Sequence, residues 1–235
     1  SQQFSRLLSN TIVISLYQLF ANFIPPIIVA IALNEMRSIA FKKTVQFISY
    51  MPHFLSVVVI TGILQQVLSL NGMANNMLAA VGLERVQFLG QPDLFKHIFV
   101  WSGIWQNVGY NAIIYIAALA GISPELHEAA RVDGANIWQR IWNVDIPGIL
   151  PTAVVLLIMS CANILNVSFE KVFLLQNSLN MRASDVISTY VYRLGMVNME
   201  YSLSTAVGLF QSVVSLILLT IVNTLSRRFS ETSLW

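Results

Sequence analysis

Charged residues are scarce in this 235-residue chain, making up 10% of the sequence, whereas hydrophobic residues make up 56%. A soluble domain carries roughly 25% charged residues, so this chain has too few to cover a surface that faces water. The formal net charge of +2 is too small for an electrostatic footprint on DNA or RNA, which excludes a nucleic-acid-binding domain. The composition therefore indicates an integral membrane protein.

Residues that usually carry chemistry are also few. The one cysteine, Cys161, excludes an intramolecular disulfide and a metal site built from cysteines. No Gly-Lys-Ser or Gly-Lys-Thr occurs, so the phosphate-binding loop of an ATPase is absent. His53, His97 and His127 belong to no Ser/His/Asp or metal-ligand pattern, and we interpret each as a packed or interfacial residue. We expect no catalytic residue, no metal site and no enzyme activity in this chain.

Five apolar runs have the length of about 20 residues that crosses a bilayer: residues 11–33, 45–70, 98–121, 147–169 and 203–225. All 13 Lys and Arg and all 11 Asp and Glu lie outside these runs. A charge at the centre of a membrane helix costs about 2.5–3.5 kcal/mol, several times what one Leu or Ile returns. The pattern predicts an all-α polytopic membrane protein with five transmembrane helices, in a single transmembrane domain that covers residues 1–235.

The loop between the third and fourth runs, residues 123–146, is called the hinged loop below. Ser123 is a favourable N-cap and Pro124 suits the first position of a helix. Gly134 can turn the backbone where other residues cannot. We therefore predict a short helix that ends at Gly134 and a second short helix that Pro147 stops.

One face of the second short helix carries Ile137, Trp138, Ile141 and Trp142 at spacings of three and four residues. Trp138 and Trp142 could anchor an amphipathic hairpin on lipid headgroups. Alternatively, Trp138, Ile141 and Trp142 pack against the helix ends of the protein itself, which is the interpretation we favour. Two rigid helices are more than a connection between two spans requires, so the hinged loop is a candidate functional element.

A spaced motif occupies the hinged loop. Glu128-Ala129-Ala130 is followed after three residues by Gly134, and after nine more by Val144-x-Ile146-Pro147. This pattern resembles the EAA motif of inner-membrane permeases of ATP-binding-cassette (ABC) importers. The run Arg131-Val132-Asp133-Gly134-Ala135, followed by Trp138, is similar to the carbohydrate-importing branch of that family.

Other segments along the chain also resemble the oligosaccharide and polysaccharide permeases of this branch. They are Asn10-Thr11, Ile14-Ser15-Leu16-Tyr17, Leu33-Asn34-Glu35, Tyr50-x-Pro52-His53-Phe54 and Glu231-x-Ser233-Leu234-Trp235. The resemblance implies a maltose-type ABC importer permease fold. Permeases of this family usually have six transmembrane helices, and we expect the missing one to precede Ser1.

The resemblance implies a permease subunit that forms half of the transmembrane path for an oligosaccharide. An extracytoplasmic binding protein delivers the sugar, a second homologous permease completes the path, and an ATPase dimer supplies the energy. ATP and Mg are expected on the ATPase, with no cofactor on this chain. The implied location is the bacterial inner membrane, with several spans and a cytoplasmic hinged loop and C-terminus. Loop charge gives this orientation weak support: seven basic residues lie on that side and six on the other, the seven being in the shorter loops.

In this family the hinged loop is the coupling helix, which docks in a groove of the ATPase. The residues to which the resemblance assigns this coupling are Glu128, Ala129, Ala130, Asp133 and Gly134. Glu128 offers a charge to a basic residue of the ATPase. The two alanines give a low surface that a partner backbone can approach closely, and Gly134 sets the angle between the two short helices.

Uncharged polar residues form stripes within the predicted spans. Asn107, Asn111 and Tyr115 repeat at i, i+4, and Ser160, Asn163 and Asn166 repeat at i, i+3, so each set shares a helix face. Polar faces in lipid point into the bundle or into a water-filled cavity. Amides and hydroxyls can hydrogen-bond a sugar, and aromatic rings can stack on it; hydrogen bonding between helices is the alternative. The predicted substrate path comprises Gln106, Asn107, Tyr110, Asn111, Tyr115, Asn163 and Asn166.

Two other functions stay open at this point. The chain could be an ABC importer permease for a non-sugar solute, or a membrane scaffold that transports nothing. The spans contain no charged residue, which argues against an ion-coupled carrier and against a strongly anionic solute. Pro25-Pro26, inside the first run, and Pro52, inside the second, should bend their helices.

Overall fold

The computed structural model describes residues 2–230, which form helices joined by turns, with no β-strand among them. The helices are α1 (Gln2–Glu35), α2 (Ile39–Tyr50), α3 (Val57–Val67), α4 (Met73–Ala80), α5 (Pro92–Ala120), α6 (Pro124–Val132), α7 (Ile137–Arg140), α8 (Ile146–Ala162), α9 (Phe169–Leu175), α10 (Met181–Ser184), α11 (Ile187–Tyr192) and α12 (Tyr201–Ser230). The all-helical fold class is therefore confirmed. The terminal motif at residues 231–235 lies outside the described residues.

Among the described residues, three helices are long and apolar enough to cross a membrane: Gln3–Glu35, Ile137–Cys161 and Tyr201–Thr224. A bent pair of helices, Ile39–Phe54 with Val57–Val67, adds a fourth if it forms one span. Helix α5 has 29 residues, but its polar stripe lowers the mean hydropathy of the segment. The apolar helices support a membrane location, and the count of five spans stays a prediction.

The second predicted span, residues 45–70, is broken rather than continuous. Helix α2 gives way to a 3₁₀ turn at Met51–Phe54, and the helices on either side of the break differ in direction by 98°. Pro52 has no N–H to continue the helical hydrogen bonds, and its ring crowds the preceding turn. The Ser56 hydroxyl then accepts a hydrogen bond from the N–H of Val59 at 3.3 Å and caps α3. The bend predicted at Pro52 is therefore present, in sharper form.

The prediction that Pro147 stops the second short helix is wrong. Helix α7 continues through a π turn at Ile141–Asp145 into α8, so the helical path passes Pro147 without a break. In the π turn the N–H of Ile146 donates to the carbonyl of Ile141, five residues back. A wider turn of this kind relieves the crowding that a proline imposes on the preceding turn of an α-helix.

The fourth predicted span also ends earlier than expected. Helix α8 ends at Ala162, and residues 163–168 form a turn and an extended connection before α9. The N–H of Asn166 donates to the carbonyl of Asn163 at 2.9 Å and closes the turn. Asparagine favours turns because its side chain competes with helical hydrogen bonding. Asn163 and Asn166 therefore lie outside a helix, and the shared helix face predicted for them with Ser160 is wrong.

The chain divides into two compact units. The first comprises Ser1–Leu19, Phe54–Gly103 and Asn163–Ser215, and the second comprises Phe20–His53, Ile104–Ala162 and Leu216–Trp235. The hinged loop belongs to the second unit. The core of that unit is formed by side chains of α1, α5 and α8, namely Ala30, Ala112, Tyr115, Leu119, Ile149 and Ala153.

The first unit is held by contacts between its short helices and the long ones. Thr11 of α1 accepts a hydrogen bond from the N–H of Ile187 at 3.0 Å, at the start of α11. The Gln65 side chain of α3 donates to the carbonyl of Leu174 in α9 at 2.8 Å. In α9 Lys171 is buried, and its amine donates to the carbonyl of Phe99 in α5 at 3.0 Å.

Candidate functional site

The first half of the hinged loop has the predicted geometry. The Ser123 hydroxyl accepts from the N–H of Glu125 at 3.3 Å, Pro124 opens α6, and the helix ends at Val132. Gly134 has a φ of +77°, in the left-handed region that L-residues with a side chain rarely adopt. The N–H of Gly134 donates to the carbonyl of Arg131 at 3.1 Å. A glycine hinge therefore separates the two short helices.

The residues predicted to couple to the ATPase lie on the outside of the chain. Glu128, Ala129, Asp133 and Gly134 are exposed, and Ala130 is half-buried. A side chain added at Gly134 would meet no atom within 4 Å. This part of the loop forms a surface of small residues beside the carboxylates of Glu128 and Asp133. Such an arrangement is compatible with docking against a partner.

The second short helix starts at a capping box that the sequence analysis did not identify. The side chain of Asn136 accepts from the N–H of Gln139 at 2.9 Å, and the side chain of Gln139 accepts from the N–H of Asn136 at 2.8 Å. Both donors would otherwise be unpaired at the helix start. The pair Asn136-x-x-Gln139 was a readable signal in the sequence.

Trp138 and Trp142 do not pack against the helix ends of the chain, so that prediction is wrong. Their exposed fractions are 68% and 66%. The two rings are four residues apart and share one face of the helix, whereas Asp145 and Ile149, further along the same helical path, are buried. Ile141 is half-buried. The tryptophans are available to lipid or to another subunit.

Two contacts between a basic and an acidic side chain involve the hinged loop: one links the loop to α1, and the other links its first helix to its last residues. Arg140 Nη2 lies 3.3 Å from Glu35 Oε2, at the end of α1. His127 Nε2, in α6, lies 3.6 Å from Asp145 Oδ1, at the base of α8. The sequence analysis missed both pairs. A charged residue two positions before the Pro147 that opens an apolar run was the available signal for Asp145.

The polar face of α5 gains a partner from the bend after α2. The His53 ring stacks on the ring of Tyr110, with centroids 3.7 Å apart and planes at 4°, and His53 Nδ1 lies 2.9 Å from Asn107 Oδ1. Asn111 is half-buried and Gln106 is buried. The structure thus brings the predicted path residues Asn107 and Tyr110 together with His53, which the sequence analysis had treated as an ordinary packed residue.

Gly109 explains how the bend can approach α5. A Cβ at Gly109 would overlap the backbone carbonyl of Ser49, so only glycine permits this distance. The close contact lies between the positions of Asn107 and Tyr110 and thereby holds His53 against both.

The other residues predicted to line the substrate path lie in different surroundings from one another. Tyr115 is 3% exposed and lies in the core with Ala112 and Ile149. Asn163 and Asn166 are exposed and belong to the first unit. Asn166 Oδ1 accepts from the Gln211 side chain of α12 at 2.7 Å. Within residues 2–230, no three His, Cys, Asp or Glu residues are grouped to hold a metal ion.

Comparison with known proteins gives one family match, over residues 24–231, to the binding-protein-dependent transport system inner membrane component. Protein LplB of Bacillus subtilis (strain 168) is 38% identical, over 99% of this chain and 73% of that protein. The polygalacturonan/rhamnogalacturonan transport system permease protein YteP of the same organism is 37% identical, with the same coverage of both chains.

Two solved structures are similar over nearly the whole chain. A bacterial ABC transporter involved in the import of the acidic polysaccharide alginate matches with a TM-score of 0.96 and 43% identity, over 98% of this chain and 81% of that chain. A bacterial alginate ABC transporter in complex with an alginate pentasaccharide-bound periplasmic protein matches with a TM-score of 0.97 and 42% identity, over 100% and 82%.

Proposed function

The chain belongs to the family of binding-protein-dependent transport system inner membrane components, and we propose that it is a permease subunit of an ABC importer for oligosaccharides. The observation that carries this proposal is the 42% identity, at a TM-score of 0.97 over the full chain, to an alginate ABC transporter in complex with a sugar-loaded periplasmic protein. The relatives are transporter permease subunits rather than enzymes.

The proposed substrate class includes acidic oligosaccharides. The lack of charge in the spans had argued against an anionic solute. Two relatives nevertheless have names that refer to acidic sugar polymers, alginate and polygalacturonan. A polymer of uronic acids also offers many neutral hydroxyls, which amide and hydroxyl side chains can bind without a full charge in the membrane. Missing intramembrane charge is therefore a weak argument against this class.

The partners follow from the same comparison. The importer comprises this chain, a second homologous permease, two ATPase subunits and a periplasmic solute-binding protein, in the bacterial inner membrane. ATP and Mg belong to the ATPase. The path is proposed to run along the polar face of α5, where Asn107 and Tyr110 meet His53.

The hinged loop is proposed to face the cytoplasm and to dock on the ATPase through the coupling residues Glu128, Ala129, Ala130, Asp133 and Gly134. Their exposure and the small alanine side chains support close approach by a partner. A carboxylate at Glu128 suits a charge-assisted hydrogen bond to an Arg or Lys of the ATPase. The C-terminus is proposed to lie on the same side.

The test is reconstitution of the complete importer in liposomes, with ATP hydrolysis measured as sugar-loaded binding protein is added. Wild type should respond with increased hydrolysis and with uptake. Glu128→Lys should remove both responses without reducing the amount of permease in the membrane, because it reverses the charge offered to the ATPase. Glu84→Lys makes the same change at another exposed position, outside the hinged loop, and serves as the control.

Two outcomes would contradict the proposal. A chain that never co-purifies with an ATPase subunit would be a scaffold. A complex whose ATP hydrolysis responds to another solute, and to no sugar, would be a permease for that solute.

A further inference from the structure

Asp145 occupies a place that is unfavourable for a carboxylate. It is the last residue of the π turn at Ile141–Asp145, and its exposed fraction is 0%. Neither of its side-chain oxygens has a hydrogen-bond partner in the part of the chain that the structure describes. Burying a polar group without a hydrogen bond costs free energy, so packing alone does not account for a carboxyl group at this position.

Burial raises the pKa of the Asp145 carboxyl group, and three ionisable neighbours also act on it: His127 and Arg140 lower this pKa, and Glu35 raises it. Arg140 is engaged by Glu35 at 3.3 Å, and Glu35 itself repels a second carboxylate. Of these three neighbours, His127 has the largest effect on the pKa of Asp145. Its Nε2 lies 3.6 Å from Asp145 Oδ1. His127 is therefore the side chain through which α6 contacts the buried carboxyl group.

We propose that His127 and Asp145 are a positioning pair that transmits displacement of α6 to the base of α8 during transport. This inference rests on the proposed function, in which α6 docks on the ATPase. His127 directly precedes Glu128, so it moves with the docked residues. Asp145 belongs to the helical path that continues into α8. The pair is thus a direct side-chain connection between the coupling surface and a membrane helix.

The length of the contact suits this role. A separation of 3.6 Å is longer than the roughly 2.7–3.2 Å of a formed hydrogen bond, so a movement of α6 by less than 1 Å can tighten or release it. A hydrogen bond between the imidazole and the carboxyl group weakens steeply as its two atoms separate, and it is stronger where the dielectric is low. The position of α6 and the free energy at the base of α8 therefore depend on each other, and this dependence is reciprocal.

A purely structural role predicts a different chemistry at this position. A contact between two buried ionisable groups is weak evidence for stability, because their desolvation cost can exceed the attraction between them. An amide at residue 145 would keep the shape of the aspartate and avoid the cost of burying a charge. If the pair served stability alone, the carboxyl group would bring no benefit over an amide, whereas a contact whose energy changes with the position of α6 does.

The experiment uses the complete reconstituted importer with three variants: Asp145→Asn, His127→Gln and the double variant. Sugar transported per ATP hydrolysed and the thermal unfolding midpoint of the complex are both measured. Each single variant should lower the transport ratio about tenfold, within the range of pair interactions between contacting residues. Asp145→Asn should not lower the unfolding midpoint, and the double variant should lose no more than either single one. Asp93→Asn, an exposed carboxylate outside the hinged loop, is the matched control and should keep the wild-type ratio.

Three results would overturn the inference. The first is that Asp145→Asn keeps the wild-type transport ratio, and the second is that its unfolding midpoint falls together with that ratio. The third is that the losses of transport ratio in the two single variants multiply in the double variant. His127→Lys gives an independent check that leaves Asp145 in place. It supplies a permanently charged hydrogen-bond donor to Asp145 and should retain more of the transport ratio than His127→Gln; equal loss in the two variants would also overturn the inference. If the wild-type complex shows no sugar-stimulated ATP hydrolysis, the proposed function itself fails, and that result is distinct from these.

Discussion

Substitution of Gly134 gives a graded test of the hinge, because alanine, asparagine and proline differ in their tolerance of its backbone conformation. Gly134 has a φ of +77°, and a Cβ there would meet no atom within 4 Å. Any effect of Gly134→Ala therefore comes from backbone strain and not from a clash. The left-handed conformation costs an alanine about 1–2 kcal/mol, which disfavours the hinge geometry by roughly 5- to 30-fold.

Asparagine enters the left-handed region more easily than alanine because its short polar side chain can hydrogen-bond locally. Proline fixes φ near −65° and has no N–H, so Gly134→Pro cannot adopt the observed conformation and also loses the bond to the carbonyl of Arg131. It further disfavours the helical conformation of the preceding residue. We expect sugar-stimulated ATP hydrolysis to decrease in the order Gly, Asn, Ala, Pro, with no stimulation in Gly134→Pro.

The assay is ATP hydrolysis by the reconstituted complex with and without sugar-loaded binding protein, at equal amounts of inserted permease. Insertion should be the same in all four proteins, since the strain is confined to one residue outside the membrane spans. Normal stimulation in Gly134→Pro would refute the reasoning. An asparagine variant as impaired as the proline variant would also refute it, because the conformation would then not be the cause.

Three further predictions concern packing, protonation and the substrate path. Gly109→Ala should destabilise the purified chain by about 1–3 kcal/mol and lower its unfolding midpoint, because the added methyl group would overlap the Ser49 carbonyl. Gly62→Ala, whose methyl group would meet no atom within 4 Å, should leave the midpoint unchanged. Equal loss of stability in both variants would contradict the packing argument. Burial lowers the pKa of Lys171 from 10.5 to about 8. Between these two pH values the unfolded chain binds the proton and the folded chain does not, so the stability of the fold should rise with pH. Thermal unfolding of Lys171→Met should not show this rise. Asn107→Leu should raise the sugar concentration for half-maximal uptake about two- to tenfold, the loss of one hydrogen bond, and unchanged uptake would remove Asn107 from the path.

The hinged loop was predictable because its signals are local. Ser123, Pro124 and Gly134 each act on the backbone within one helical turn, through a cap, a fixed φ or a positive φ. The apolar runs were equally readable, since burial in lipid excludes charge from each helix independently. These local and compositional rules gave the all-helical fold class and the two short helices of the hinged loop.

The features that the sequence analysis missed depend on contacts between distant residues or on how one turn accommodates its neighbours. The π turn at Ile141–Asp145 changes the phase of the helix before Pro147, so α-helical spacing does not predict that Asp145 is buried while Trp138 and Trp142 are exposed. The contact of His53 with Tyr110 requires the close approach at Gly109, which spacing along the chain does not reveal. Asn166 was assigned to a helix because its i, i+3 spacing outweighed the preference of asparagine for turns.

The most direct test of the account asks which side of the membrane the hinged loop faces and whether the ATPase covers it. A single cysteine is introduced as Ala129→Cys in a Cys161→Ser background and is labelled with a membrane-impermeant maleimide, in right-side-out and inside-out vesicles, with and without assembled ATPase subunits. The account predicts labelling in inside-out vesicles only, and protection when the ATPase is bound. Labelling in right-side-out vesicles, or equal labelling with and without the ATPase, would contradict it.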